Sequence, residues 1–482
     1  MTDVLLAGGR RYGGAPVDIL VRHGRIAAVG TGLRADAVER VVLDGRYLGP
    51  GLWDEHVHLA QHAVARGRLG LSGARSAAEV LDLVATHLAS RESTDPLVGY
   101  GFRDALWPDA PTRNALDAVT GDVPVTLISG DLHCGWLNGA AARRAGVETD
   151  ASGVLREGPW IAVLSASDEV ASLPRRAIAD AVRAAAERGV VGIVDLENAD
   201  NVADWTTRSA DGIRSVRVEA SVWPDRLDAV IARGIRSRDV LDDAGLVTMG
   251  PLKIVVDGSL NTRTAWTWDP YPDSAPTDAH ACGVDSVAPA ELRRLLALAR
   301  DHGLDAAVHA IGDRANSEVL DAFEALGVPG RIEHAQLVAR RDLPRFAALG
   351  VVASVQPEHA MDDRDAADRH WRGRSDRAFA YGSLWRAGAS LRLGSDAPVA
   401  PLDPWITADA AVSRSRDGRE PWHPDERIPV EVALAASARG SLHVGEAADL
   451  VVVERDPFAD GDLRRMPVAA TLLAGRFTHC AL

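Results

Sequence analysis

Eight short apolar segments recur between residues 48 and 398, most of them followed by a stretch with amphipathic helical spacing, and this alternation limits what the chain can fold into. The segments are LGPGLWDEHVHL (48–59), PVTLISGDLH (124–133), VVGIVDLE (190–197), GPLKIVVDGSL (250–260), LDAAVHAIGD (304–313), GRIEHAQLV (330–338), GVVASVQPEH (350–359) and ASLRLGSDAP (389–398). Between them lie helical patterns such as PRRAIADAVRAAAERG (174–189) and PAELRRLLALARDHG (289–303), each opening on proline and closing on glycine. Eight β/α units predict a closed parallel barrel, the α/β (β/α)8 TIM-barrel class. The alternating region exceeds the roughly 250 residues of a minimal barrel. The surplus falls at residues 60–123 and 198–249, which are expected to be insertions.

Both ends of the chain read differently. Residues 1–50 and 433–482 carry short alternating strands broken by glycine, such as DVLLAG, VDILVRHGRIAAVG, ADLVVVERDP and VAATLLAGRFTH. Neither end has enough strands to stand alone, so the two are expected to pair into one small β-sandwich flanking a barrel over 51–432. The formal charge of -15 and the lack of long basic runs argue against nucleic acid as a partner. Cys134, Cys282 and Cys480 lie far apart, with no C-x-x-C pair, which fits a reducing cytoplasm better than a disulfide framework or a thiolate zinc site. No apolar run approaches the roughly 18 residues of a membrane span, and the start is too short in apolar residues for a secretory leader. A soluble cytoplasmic protein is expected.

The chemistry collects at the carboxyl ends of the proposed strands, where barrels of this kind carry their sites. His56 and His58 stand two apart on the first strand, so simple alternation points both imidazoles to one face. Lys253 falls on the fourth, His309 on the fifth, His334 on the sixth and Asp396 on the eighth. Neutral imidazoles and carboxylates suit zinc or a related divalent ion. A lysine ammonium would repel such an ion, unless CO2 adds to the amine and turns it into a carbamate anion.

This set, in this order, resembles the amidohydrolase superfamily. The superfamily pattern is His-x-His on strand one, a carboxylated lysine or glutamate on strand four, a histidine on strands five and six, and an aspartate on strand eight. DEHVH, the lysine of PLKIVVDGSL, VHAIGD, IEHAQ and GSDAP fill those positions. More narrowly, GYGFRDALWPDAPTRNALDAV, DLHCGWLNGAAARRAGV, GVLREGP, DGSLNTRTA, HAIGDRAN and SVQPEHA look like the YtcJ-like branch, which includes N-substituted formamide deformylases. The resemblance implies His56, His58, Lys253, His309, His334 and Asp396 as metal ligands, one or two zinc ions, and carboxylation of Lys253 by CO2. A divalent ion in such a set lowers the pKa of bound water from roughly 15.7 to about 7, giving a hydroxide nucleophile at neutral pH. Asp396 would be the catalytic proton carrier.

Further candidates flank that set. His133 and Asp131 in GDLHCGW, Trp136 beside them, Ser259 and Arg263 in DGSLNTRTA, and His359 in SVQPEHA are candidate substrate or bracing contacts. Of these, His133, Trp136, Arg263 and His359 are expected to touch substrate. Asp313 and Arg314 in AIGDRAN read as a structural pair, and Glu197 is set aside as a ligand because Lys253 already fills the strand-four position. The branch reads DGSLGSRTA where this chain has Asn261 and Thr262, and its stretch before the C-terminal strands is longer than VALAASARGSLHVGEAADL.

The sequence therefore predicts a metal-dependent hydrolase of a non-peptide carbon–nitrogen bond, with a linear N-acyl or N-formyl amide as substrate. A cyclic amide or imide, or a non-catalytic barrel scaffold, are the alternatives. Closed two-fold dimers are the commonest soluble assembly, so a homodimer is expected.

Overall fold

The computed structural model describes residues 3–91, 93–165, 173, 175–272, 274–275, 277–459 and 461–482, with the side chains of residues 106 and 165 left out. Eight parallel strands form the barrel: β1 (Leu52–Val57), β2 (Val190–Asp195), β3 (Arg217–Val222), β4 (Val247–Val255), β5 (Ala306–Ala310), β6 (Gly330–His334), β7 (Val352–Val355) and β8 (Leu391–Leu393). They pair in sequence order from β1 to β8. The seam between β8 and β1 is closed by Asp396 N donating to His56 O at 2.7 Å and His58 N donating to Ala397 O at 2.8 Å. Gly394 permits this approach, since a Cβ there would lie 2.7 Å from His56 N.

Helices cover the outside. Pro289–Asp301 buries Leu292, Leu295, Leu296 and Ala299, the i, i+3, i+4, i+7 stripe read from the sequence, with proline in its first turn. Arg175–Ala186 buries Ile178, Ala181, Val182 and Ala185 in the same way; Pro174, expected to open it, lies outside the described residues. The first helix packs into an apolar core that runs from Leu52 to Met466, whereas the second packs into a separate cluster with Val190, Ile193 and Val218.

Two of the expected barrel assignments are corrected. Residues 124–133 are not a barrel strand: Val125–Ser129 is the central strand of a separate five-stranded sheet with Leu69–Gly70, Leu97–Phe102, Cys134–Leu137 and Val154–Arg156. Its apolar run is buried within this inserted unit, whose own core includes Val80, Phe102, Leu116, Leu127 and Trp136. The material between β1 and β2 is therefore an insertion well beyond residue 123. Conversely, residues 198–249 are not an insertion, because they hold β3 and the helix Asn201–Ala210. β3 reads RVEASV, and its polar Glu219 hides the strand; that carboxylate is taken up by Arg439 at the foot of the barrel.

The chain ends form an eight-stranded sheet, seven strands along one hydrogen-bonded path and Glu39–Val42 paired off it to Val4–Arg11, in which Tyr47–Pro50 pairs with Leu450–Val453 and so joins the N-terminal strands to the C-terminal ones. Val4, Leu6, Ile19, Leu450, Val452 and Leu472 share its core. No helix of the described residues is long and apolar enough to cross a membrane.

Candidate active site

A cavity of about 240 Å³ opens at the carboxyl ends of the barrel strands, and His56, His58, Lys253, His309, His334 and Asp396 all line it. Strand register brings them there, since β4 and β5 align Val255 with His309, and β5 and β6 align Ala310 with His334. β1 does not reach the site by simple alternation, because its pairing with β2 shifts register between Asp54 and Val57. His58 lies past the strand, at the start of the helix Leu59–Ala65.

The imidazoles stand in a row of ring neighbours. Centroids are 5.5 Å apart for His56 and His58, 5.0 Å for His56 and His334, and 4.4 Å for His309 and His334. Asp396 Oδ1 lies 3.3 Å from both His56 Nε2 and His58 Nε2. Lys253 Nζ is 3.5 Å from His56 Nε2. His334, Ala335 and Asp396 have φ of 74°, 42° and 58°, a left-handed backbone that costs non-glycine residues about 1 kcal/mol or more each and that gathers at functional sites.

The electrostatics suit a cation. Burial, then the Lys253 charge, hold the His56 imidazole far below its ordinary pKa; burial and the neighbouring His309 do the same for His334, and burial with Lys253 brings His309 to about 3. These rings are neutral and offer lone pairs. Burial works against the Asp396 carboxylate, but the hydrogen bond and charge of His58, whose own pKa the carboxylate raises, hold this group well below the usual carboxylate range. Burial lowers Lys253 to about 8. His56, His334 and Asp396 each place a ligand atom within 4.8 Å of the others. His58 Nδ1 and His334 Nδ1 are buried without a hydrogen-bond partner. Imidazoles gathered around a carboxylate, with two of their buried nitrogens left without partners, fit a divalent ion.

Sequence reasoning missed the support behind these groups. Glu333 Oε2 accepts from His56 Nδ1 at 2.7 Å, which fixes the ring with Nε2 toward the cavity. Arg331 Nε pairs with the other Glu333 oxygen at 2.6 Å, and its Nη1 reaches Glu55, itself held by Arg439. Glu333 adjoins a proposed ligand in IEHAQ, but no periodicity distinguishes it from a surface acid. Glu157, bonded to His133 Nδ1 at 2.9 Å, was missed likewise.

The remaining candidates divide. His133 and His359 line the cavity, with His359 Nε2 3.8 Å from Asp396 Oδ2. Asp131 and Ser259 line it as well and bond to each other at 3.1 Å. Trp136 does not: its ring is fully buried in the core of the inserted sheet, where an alternating strand turns it away from the site. Arg263 is exposed and outside the lining, at a left-handed position (φ 59°) of the loop after β4. Asp313 pairs with Arg377 rather than with Arg314, which stacks on Trp266 and Trp268. Asn261 and Thr262, the departures from the branch motif, bond Asp363 and Glu157. Glu197 follows β2, lines the cavity, and accepts from Gln61 Nε2 at 2.6 Å.

Known proteins share this architecture. A model of the amidohydrolase family matches residues 41–479. The putative amidohydrolase YtcJ of Bacillus subtilis (strain 168) is 28% identical over 92% of this chain and 90% of its own length. The N-substituted formamide deformylase of Arthrobacter pascens is 26% identical over 95% and 94%. A solved structure of an uncharacterized metal-dependent hydrolase from Pyrococcus horikoshii OT3 superposes with a TM-score of 0.78 at 26% identity, covering 96% of this chain and 99% of that one. Family match, barrel and convergent site agree: the chain belongs to the amidohydrolase family, in its YtcJ-like branch.

Proposed function

We propose that the protein hydrolyses a linear carbon–nitrogen bond, an N-acyl or N-formyl amide, with one or two zinc ions held by His56, His58, His309, His334 and Asp396. The observation that carries this reading is the convergence of four imidazoles and a carboxylate on one small cavity, with His56, His334 and Asp396 each placing a ligand atom within 4.8 Å of the others. The relative from Arthrobacter pascens, named for deformylating N-substituted formamides, supports the amide class. A bound divalent ion would acidify water and polarise the substrate carbonyl.

The chain's own residues supply the rest. Asp396, kept deprotonated, accepts the proton of the attacking water and returns it to the departing nitrogen. Glu333 holds the His56 ring in the orientation a ligand needs. Lys253, with its pKa brought down to about 8, has far more neutral amine at pH 7 than an ordinary lysine. Carboxylation of that amine by CO2, with loss of a proton, would make Lys253 an anion suited to holding a divalent ion. Leu132, Ile161, Leu164, Leu260 and Trp223 line the cavity and cover an apolar substituent. About 240 Å³ is at or below the small end of ligand pockets, roughly 300–1,000 Å³, and favours a compact amide. A homodimer in a reducing cytoplasm completes the proposal; the three cysteines are free.

The test is metal analysis of the purified protein together with hydrolysis of N-alkyl and N-aryl formamides and acetamides. About one or two zinc ions per chain and amine release are expected. Asp396→Asn should lower kcat by about 10²–10⁴-fold, the usual span for losing a general base. No stoichiometric metal and no turnover would leave a scaffold, and turnover of cyclic imides alone would reassign the substrate.

A further inference from the structure

The inserted sheet brings a second polar group to the cavity from the side facing Asp396. His133 sits in the turn between Val125–Ser129 and Cys134–Leu137. Its ring centroid is 6.3 Å from that of His309 on β5. Its braces reach the loop after β4: His133 N donates to Asp131 Oδ1 at 3.1 Å, and Asp131 Oδ2 accepts from Ser259 Oγ at 3.1 Å. In an eight-stranded barrel β4 and β5 stand opposite β8 and β1, which carry Asp396, His56 and His58.

The orientation of the ring is over-determined. His133 Nδ1 lies 2.9 Å from Glu157 Oε2, and Glu157 Oε1 accepts from Thr262 Oγ1 and from Thr264 Oγ1 at 2.6 Å. Glu157 N also donates to His133 O at 2.9 Å. Leu132 and Glu157 both adopt left-handed φ, 65° and 49°, a conformation held only where surrounding contacts insist on it. With Nδ1 engaged, Nε2 is the ring nitrogen left for the cavity that His133 lines. Burial disfavours a charged ring here, yet the Glu157 carboxylate outweighs it and pushes the imidazole up to about 9.

We propose that His133, oriented by Glu157, is a further catalytic residue that donates a hydrogen bond from Nε2 to the carbonyl oxygen of the bound amide. The inference rests on the amide-hydrolase reading above. Water oxygen adds to the carbonyl carbon and its proton passes to Asp396; the C=O π pair moves onto oxygen, where the His133 N–H meets the growing charge. When C=O re-forms, the C–N bond breaks and the nitrogen takes the proton from Asp396. Glu157 touches no substrate and is a positioning residue, tied by Thr262 to the loop where this chain departs from its branch.

The test compares wild type, His133→Asn and Glu157→Gln, each zinc-loaded, on N-alkyl formamides and the matching thioformamides. His133→Asn should lower kcat about 10²-fold on formamides at unchanged zinc content. Sulfur accepts hydrogen bonds weakly, so the oxygen-to-sulfur penalty should be at least tenfold larger in wild type than in His133→Asn, with Glu157→Gln between them. Equal penalties overturn the proposal, because a merely structural role would lower both substrates alike. Binding of benzylphosphinate, a tetrahedral oxyanion, decides independently of turnover. Wild type should bind it at least tenfold more tightly than His133→Asn; equal affinities, or no binding by wild type, overturn the assignment. A wild type that cleaves no amide yet binds the phosphinate at least tenfold more tightly than His133→Asn would sink the amide reading and keep only His133 as the donor to an oxyanion.

Discussion

At the scale of single residues, the site is a set of groups whose environments push them toward lone-pair donors. His56 is the clearest case. Burial and the nearby Lys253 keep the ring neutral, and Glu333 accepts a hydrogen bond from Nδ1 so that Nε2 faces Asp396. Glu333→Gln keeps the shape but weakens the acceptor, and removal of such a partner typically costs 10–100-fold in metal affinity. We expect zinc affinity measured by chelator competition to fall within that range; an unchanged affinity would show that packing alone orients His56. His56, His58, His309, His334 and Asp396 were legible in the sequence because their residue types and strand-end positions carry the pattern. Glu333 and Glu157 were not, because a carboxylate's partner lies at long sequence separation, 277 and 24 residues away respectively.

At the scale of elements, strand identity was harder to read than strand chemistry. The run VTLIS at 125–129 reads as a barrel strand but lies in the inserted sheet, RVEASV at 217–222 does not read as one but is β3, and the two differences cancel, so Lys253 still falls on the fourth strand. Burial explains both: an inserted sheet with its own core needs apolar strands as much as a barrel does, and β3 carries a glutamate whose arginine partner is 220 residues away. Trp136 belongs to that inserted core. Trp136→Phe should lower the melting temperature while leaving KM within about twofold, whereas a substrate contact would move KM; large-to-smaller core changes cost on the order of 1 kcal/mol or more. The β8–β1 seam makes a second prediction. A Cβ at Gly394 would meet His56 N at 2.7 Å and His56 Cβ at 2.9 Å, so Gly394→Ala must part the strands that carry His56 and Asp396. Overpacking of this kind costs about 1–3 kcal/mol, and both thermal stability and zinc affinity should drop together.

At the scale of the whole molecule, the fold stores proton-linked strain in its metal-free form. His309 keeps its ring neutral down to about pH 3, whereas in the unfolded chain it would take up a proton near 6.5. Below pH 6.5 the unfolded state therefore binds more protons than the folded one, and stability falls as pH drops from about 6.5 toward 3, by up to about 1.4 kcal/mol per pH unit for each such ring. His56 and His334 are shifted in the same direction. Denaturant melts of chelator-treated protein should show a marked loss of stability between pH 7.5 and pH 5. Added zinc should restore roughly 4 kcal/mol at a thousand times its dissociation constant. A metal-free protein equally stable at both pH values would mean that these rings are not held neutral.

The alternation of apolar and amphipathic segments was enough to specify a parallel barrel, since each strand must bury both faces and each helix one, and that requirement is local in the chain. The same holds for the ligand-type residues at strand ends. Which strands close the barrel, which polar side chains brace the clustered histidines, and which candidates turn away from the cavity were decided by tertiary packing. Trp136 illustrates the reason: the core of a separate sheet takes up its side chain, and that is not encoded in spacing along the chain.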